Sequence, residues 1–228
     1  MFRLRCHFGV LLSAYFVPWS LHVLPDSFLL KEKVVVDDVV TTIGDYAFAS
    51  CALLKAITIP SSIRTISSGA FHECSSLETL VIPEGVTEIG ERAFAYCGMT
   101  ELVVPSSVTH IDAYAFLGCD NLKSVTALDG LKSISNSSFA DCVSLDTLVL
   151  PASVQTIRES AFKNCRKLFN VNYAGSISDW KKFKGQKFHN TNTLVLCTDG
   201  STLADTRNTY YGYDNVRDNP YNKKYPLS

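Results

Sequence analysis

The sequence predicts a repeat solenoid, a right-handed superhelix of coils about 23 residues long, mostly β with short helical turns. Three features predict it. Six cysteines, Cys51, Cys74, Cys97, Cys119, Cys142 and Cys165, follow one another at gaps of 23, 23, 22, 23 and 23 residues. A small residue followed by phenylalanine stands just before each of them, and an alternating apolar run stands after most. A constant period of about 20 to 50 residues marks a repeat architecture, so these cysteines count coils.

The coil can be followed element by element. Ile43, Ile66, Ile89, Ile111, Ile134 and Ile157 recur four residues before the small residue, each with a branched aliphatic three positions earlier, from Val40 to Val154. They form a buried column in an extended stretch. The pairs Ala47-Phe48, Ala70-Phe71, Ala93-Phe94, Ala115-Phe116, Ser138-Phe139 and Ala161-Phe162 come next, on a compact turn or a single helical turn. After the cysteine stand Leu54-x-x-Ile57-x-Ile59-Pro60, Leu77-x-x-Leu80-x-Ile82-Pro83 and Leu145-x-x-Leu148-x-Leu150-Pro151. Such alternation reads as a short strand with one buried face.

No coil covers its own apolar side. Stacked at roughly 4.8 Å, neighbouring coils cover one another, which is why the unit needs several copies and a cap at each end. The strand position runs from Val34-Val35-Val36 to Leu194-Val195-Leu196. That gives eight strands in one parallel sheet roughly 35 Å long.

The pattern Ile-x-x-x-Ala-Phe-x-x-Cys-x-x-Leu-x-x-Leu-x-Ile-Pro resembles the BspA-type leucine-rich repeat of bacterial surface proteins, so the expected fold is a leucine-rich repeat solenoid. The resemblance covers residues 34–173, after an N-terminal segment at 1–33. A closing coil follows at 174–200, from Gly175-Ser176 to Asp199-Gly200, and a polar tail rich in Tyr and Asn at 201–228. Two coils depart from the pattern: the one after Cys97 is a residue short beside Gly98, and Ala127-Leu128 replaces Ile-Pro before Asp129-Gly130. A kink or wider turn is expected there.

Composition limits the function. With 46% hydrophobic and 19% charged residues the chain buries a real core, and a net charge of -1 with interspersed signs offers no field for a nucleic-acid backbone. Parallel Cβ vectors keep stacked cysteines from pairing as a disulfide ladder, and no Cys-x-x-Cys spacing suggests zinc. The ladder cysteines read as a buried, reduced column; Cys6 and Cys197 lie off it. His7, His22, His72, His110 and His189 show no metal or catalytic spacing, and His110 with Asp112 falls at variable, solvated positions. No catalytic residue, cofactor or metal ligand is assigned.

Binding has the better physical basis, because a solenoid displays the outward strand positions of successive coils as one ladder. The candidate ligand-binding face holds the column Thr58, Val81, Val103, Thr126, Val149 and Asn172, flanked by Glu78, Glu101, Lys123, Asp146 and Phe169. Thr and Val suit a sheet in any case, and the face is poor in the Trp, Tyr and Arg anchors of tight interfaces. Trp180, Lys181, Lys182, Phe183 and Lys184 form a basic aromatic patch or, more simply, a cap that covers the last open core. Tyr210, Tyr211, Tyr213, Tyr221 and Tyr225 crowd the tail.

Arg3, Arg5 and His7 precede an apolar run from Phe8 to Val17, the charge order of a signal peptide and too short a run to cross a membrane. Asn136-Ser137-Ser138 fits a glycosylation sequon. The expectation is a non-enzymatic binding or adhesion protein, secreted or on the cell surface, whose partner is a protein, such as a host or matrix protein. The alternatives are an intracellular scaffold or a fragment of a larger surface protein and, from a different class, a hydrolase on the solenoid. Export is also what the BspA resemblance implies.

Overall fold

The computed structural model describes residues 2–5, 11–14, 32–183 and 193–203. Among these the chain winds through two parallel ladders. The first is built from β3 (Lys33–Val35), β5 (Ala56–Thr58), β7 (Thr79–Leu80), β9 (Glu101–Val104), β11 (Ser124–Ala127), β13 (Thr147–Leu150), β15 (Asn170–Tyr173) and β16 (Leu194–Cys197). The second is built from β4 (Thr42–Ile43), β6 (Thr65–Ile66), β8 (Glu88–Ile89), β10 (His110–Ile111), β12 (Ser133–Ile134) and β14 (Thr156–Ile157), one strand per coil in an unbroken sheet. The isoleucine column is therefore a strand column, with every isoleucine from Ile43 to Ile157 buried.

The corner that joins the second ladder to the cysteine is a pair of turns, not a helical turn. In each coil the residue before the small residue and the residue before the cysteine take a left-handed backbone, with φ between +53° and +65° at all twelve positions from Tyr46 to Asn164. This alternation aims every second N–H along the stack. Tyr46, Phe48 and Ser50 donate to the carbonyls of Ser68, Ala70 and His72 in the next coil, and the N–H groups between them close the turns within the coil. In a helix those donors would point along the helix axis instead.

Inside the corner, Phe48, Phe71, Phe94, Phe116, Phe139 and Phe162 stack as one column, with centroids 5.1 to 5.5 Å apart and planes within 8°. The cysteines beside them are buried free thiols. They are also donors: Cys74 Sγ reaches the carbonyl of Phe48 at 3.0 Å, and Cys97, Cys119, Cys142 and Cys165 repeat the contact on Phe71, Phe94, Phe116 and Phe139 at 3.1 to 3.2 Å. The carbonyls of Phe48, Phe71 and Phe94 also accept the N–H of their own coil's cysteine, so there the thiol fills the remaining lone pair. Cys197, off the ladder, is half-buried; Cys6 lies outside the described residues.

Burial raises four of the ladder thiols, to about 11 at Cys51 and about 12 at Cys165, and well above the ordinary range at Cys97 and Cys142. In the unfolded chain these four ionise near pH 8.5. The unfolded state therefore binds fewer protons between that pH and the folded values, and stability, complete below about pH 8.5, falls as pH rises through this window. A melting temperature that declines from pH 8.5 upward is expected, with the ladder thiols silent to Ellman's reagent at pH 8 until the chain unfolds. Labelling of the ladder in the folded chain would contradict the placement.

The eight strands of the first ladder are present, but they do not make one sheet. β3, β5 and β7 lie in one sheet and β9 to β16 in another. The split follows from the short coil. Two residues separate the cysteine from the buried leucine in the other coils, as in Cys74-x-x-Leu77, whereas Gly98 alone separates Cys97 from Met99, which is fully buried in the leucine position. The chain reaches the strand a residue early, and Gly98 passes so near the preceding coil that a Cβ would lie 2.2 Å from the Ser75 carbonyl. At the second departure the ladder continues, with Leu128 N–H donating to Val104, and the turn is closed by Gly130 at φ +134°.

Both ends of the first ladder carry antiparallel strands: β1 (Phe2–Arg5), itself paired with β2 (Leu11–Ala14), on β3, and β17 (Gly200–Leu203) on β16. Before β16 stands a short helix, α1 (Ile177–Trp180), with a capping box between Ser176 and Asp179. Lys182 and Ser176 hold the Asp179 carboxyl down at about 2. Trp180 is buried against Tyr173 and Phe183, at 5.4 Å from each, while Lys181 and Lys182 stay in water. Lys184 and the tail tyrosines lie outside the described residues.

Candidate functional site

The strand alternation puts one column of the first ladder in the core and the next in solvent. Ile57, Leu80, Leu102, Val125, Leu148 and Val171 are buried, whereas Thr58, Val81, Val103 and Asn172 are exposed and Thr126 and Val149 half-exposed. Pairing fixes the register: Val103, Thr126, Val149, Asn172 and Leu196 stand side by side on consecutive strands. Glu101, Ser124, Thr147 and Asn170 form the parallel row beside them. Glu78, Lys123 and Asp146 are exposed at the strand entry, and Phe169 is half-exposed.

The structure does not bring every candidate together. Thr58 belongs to the N-terminal sheet, where it pairs with Val35, and Val81 lies just past β7, on the far side of the split from Val103. These two valines, 72% and 54% exposed, flank the discontinuity and make it the most apolar part of the face. Leu196, 40% exposed, extends the ladder by one strand that the sequence columns did not include.

The Phe corner carries a second exposed surface, which the strand columns did not reveal. Tyr46 and Tyr96, 53% and 46% exposed, take left-handed positions, as do Arg92 and Tyr114. The ring of Tyr46 occupies the space where a Cβ at Gly69 would stand, and Tyr96 does the same at Gly118 one coil further on. His72 meets Tyr96 edge-on at 5.7 Å, and the Arg92 guanidinium lies 4.6 Å from the centre of the Tyr114 ring. Arg92 also pairs with Glu91, and Glu73 accepts a hydrogen bond from Ser50 at 3.0 Å. The signal was present in the repeat, since Tyr46 and Tyr114 share one phase and Tyr96 holds the phase before cysteine.

The other candidate groups are dispersed. His110 is exposed on the second ladder, its Nδ1 2.7 Å from the Thr109 hydroxyl, and His72 lies 3.8 Å from Glu73. Asn136 of the sequon is exposed, but Ser138 is fully buried and its hydroxyl donates to Ser135, so the serine has a structural task in the small-residue column. A cleft of about 480 Å³ opens where the second ladder ends, between Gln155–Glu159 and Lys182–Phe183 of the cap. Among the described residues no group of three or more His, Cys, Asp or Glu is gathered as metal ligands would be, and no helix is long and apolar enough to cross a membrane. His7, His22 and His189 lie outside the described residues.

A family model of the BspA type leucine rich repeat region matches residues 30–123 and 87–213, in six copies. Two solved structures are similar along much of the chain. A leucine-rich repeat protein from Bacteroides ovatus is 29% identical with a TM-score of 0.59, over 64% of this chain and 40% of that one. A leucine-rich repeat protein from Eubacterium ventriosum is 27% identical with a TM-score of 0.58, over 75% of this chain and 47% of that one. The chain thus spans less than half the length of either. No curated protein matches it.

Proposed function

We propose, from the premise that the chain belongs to the BspA-type leucine-rich repeat family, that it is a non-enzymatic binding protein that holds a protein ligand on the outer face of its first ladder. The observation that carries this reading is the row Val103, Thr126, Val149, Asn172 and Leu196, in register on five consecutive strands and turned to solvent. A rigid backbone fixes the spacing of this row, so a partner meets a preformed surface and little ordering cost is added on binding. Its side chains are small and β-branched, apart from Phe169 at one margin, which favours modest contacts multiplied over many copies. Export to the cell surface fits this role and the charge order of Arg3, Arg5 and His7 before an apolar run.

Address and face are tested together. Cells making the chain are fractionated and intact mass is taken from medium, surface and cytosol; recovery outside the cell without about the first 20 residues is expected. On plates coated with extracellular-matrix protein, Val103→Arg and Val149→Arg should each abolish retention, while Gln155→Arg on the second ladder leaves it unchanged. Retention lost only in Gln155→Arg would move the site off this face, and a cytosolic protein with Met1 or Phe2 intact would redirect the search to intracellular partners.

A further inference from the structure

We propose that the outer edge of β14, the last strand of the second ladder, is a second binding site, independent of the first-ladder face. Its ligand is an extended acidic segment of a partner protein, added to the ladder as one more strand. The hydrogen-bond pattern supplies the first argument. From Ile43 to Ile134, the carbonyl two residues before each strand isoleucine accepts an N–H of the next coil, as Lys132 does from Gln155. The isoleucine's own carbonyl accepts another, as Ile134 does from Arg158. The matching carbonyls of β14, on Gln155 and Ile157, accept none among the described residues. Two acceptors at this spacing on a sheet edge are what an incoming strand meets with its N–H groups.

Shape supplies the second. One period after β14 the chain enters α1 in place of a strand, so the first ladder continues through β16 and β17 while the second stops. The cleft of about 480 Å³ opens at this step, with Asn136 and Gln155–Glu159 on one side and Lys182 and Phe183 of the cap on the other. The edge is thus reached through a recess and not from a flat end.

Side-chain chemistry supplies the third. Ile157 is buried and Arg158 exposed, and a strand laid beside β14 alternates in the same way. One set of its side chains stands beside Arg158 and the other beside Ile157. Arg158 has no ion pair among the described residues, and Lys182 adds a second cation, shared with Asp179. Glu159, the acid of the cleft, already has a partner. Charges at an edge deter indiscriminate pairing, and cations admit a strand whose outward residues are carboxylates. The matching ligand alternates acidic with aliphatic residues.

The test is fluorescence anisotropy of a labelled hexapeptide, Glu-Val-Glu-Val-Glu-Val, titrated with the intact chain. Saturable binding is expected, with none for Lys-Val-Lys-Val-Lys-Val. Arg158→Glu and Lys182→Gln should each weaken it roughly tenfold or more without lowering the melting temperature, and Val103→Arg should leave it unchanged. Alternate N–H groups of a strand point to opposite edges, so methylating either the glutamate or the valine amides, but not both sets, should abolish binding. Equal binding of the lysine peptide, or binding indifferent to both methylations, overturns the proposal. So does binding that survives both cleft variants or is lost in Val103→Arg. If the chain self-associates in sedimentation runs and Arg158→Glu abolishes this, the occupant is a second copy and the acidic-peptide assignment falls.

Discussion

Phe94→Ala should destabilise the chain by about 3 to 5 kcal/mol, which lowers the melting temperature by roughly 6 to 20 °C in a domain of this size. Phe94 has no exposed surface and stacks between Phe71 at 5.1 Å and Phe116 at 5.3 Å. Truncation removes the ring's own burial, leaves a cavity and breaks two stacking contacts at once. The walls cannot close on that cavity, because neighbouring coils are pinned at their spacing by N–H groups such as those of Phe94 and Tyr96, which donate along the stack to Ala115 and Leu117. In a nearest-neighbour architecture the loss is shared by the coils on either side, so folding of the whole array becomes less cooperative.

Phe48→Ala is the control. Phe48 opens the column and stacks on Phe71, so its truncation breaks one contact of this kind and should cost less. Urea titrations of the two variants measure the difference. Equal losses would mean that the column does not act as a stack, and a near-native Phe94→Ala would remove the phenylalanines from the core.

The two columns deepest in the core were legible because their chemistry repeats. Phenylalanine and isoleucine recur at fixed phase, since each coil presents the same buried site to its neighbours, and any protein built this way writes its period into its sequence. The cysteine was read as a small apolar residue, which is only half of its role. That it donates to a phenylalanine carbonyl depends on the left-handed turns, which use the N–H groups in a pattern that no propensity scale contains. The corner aromatics escaped for a related reason: outward residues vary from coil to coil, and nothing in Tyr46 or Tyr96 alone says that a glycine one coil later braces its ring.

The split in the first sheet was half legible. A missing residue beside Gly98 announces an irregular coil, but whether the strand, the turn or the second ladder absorbs it is decided by packing. The second ladder is held by isoleucines on every strand and by a continuous register from β4 to β14, so it stays intact. The first ladder gives way between β7 and β9, where the missing residue brings the chain into the strand one position early. The candidate face is therefore two surfaces with Val81 and Val103 at their junction, and a ligand that spans both must follow the discontinuity.

Gly130→Ala is expected to destabilise by about 2 to 5 kcal/mol, well beyond an ordinary turn substitution. Two costs add. A φ of +134° lies far outside the small left-handed region near +60° that other residues enter, and a Cβ there would lie 1.9 Å from the Ser106 carbonyl, a backbone atom of the preceding coil that has no rotamer by which to yield. Relief requires the turn to open, which would break the N–H of Gly130 from Ser153 Oγ and, with it, the donation of that hydroxyl to Leu131. Gly69→Ala separates conformation from collision. Its φ of +59° is in the left-handed region proper, and the atoms in the way belong to the Tyr46 ring, a side chain that can swing outward. That substitution should cost about 1 to 2 kcal/mol. Chemical denaturation of both variants ranks the two costs: a larger loss at Gly130 ties the turn to backbone contact between coils, whereas a larger loss at Gly69 would mean that the tyrosine at the corner is a structural wedge.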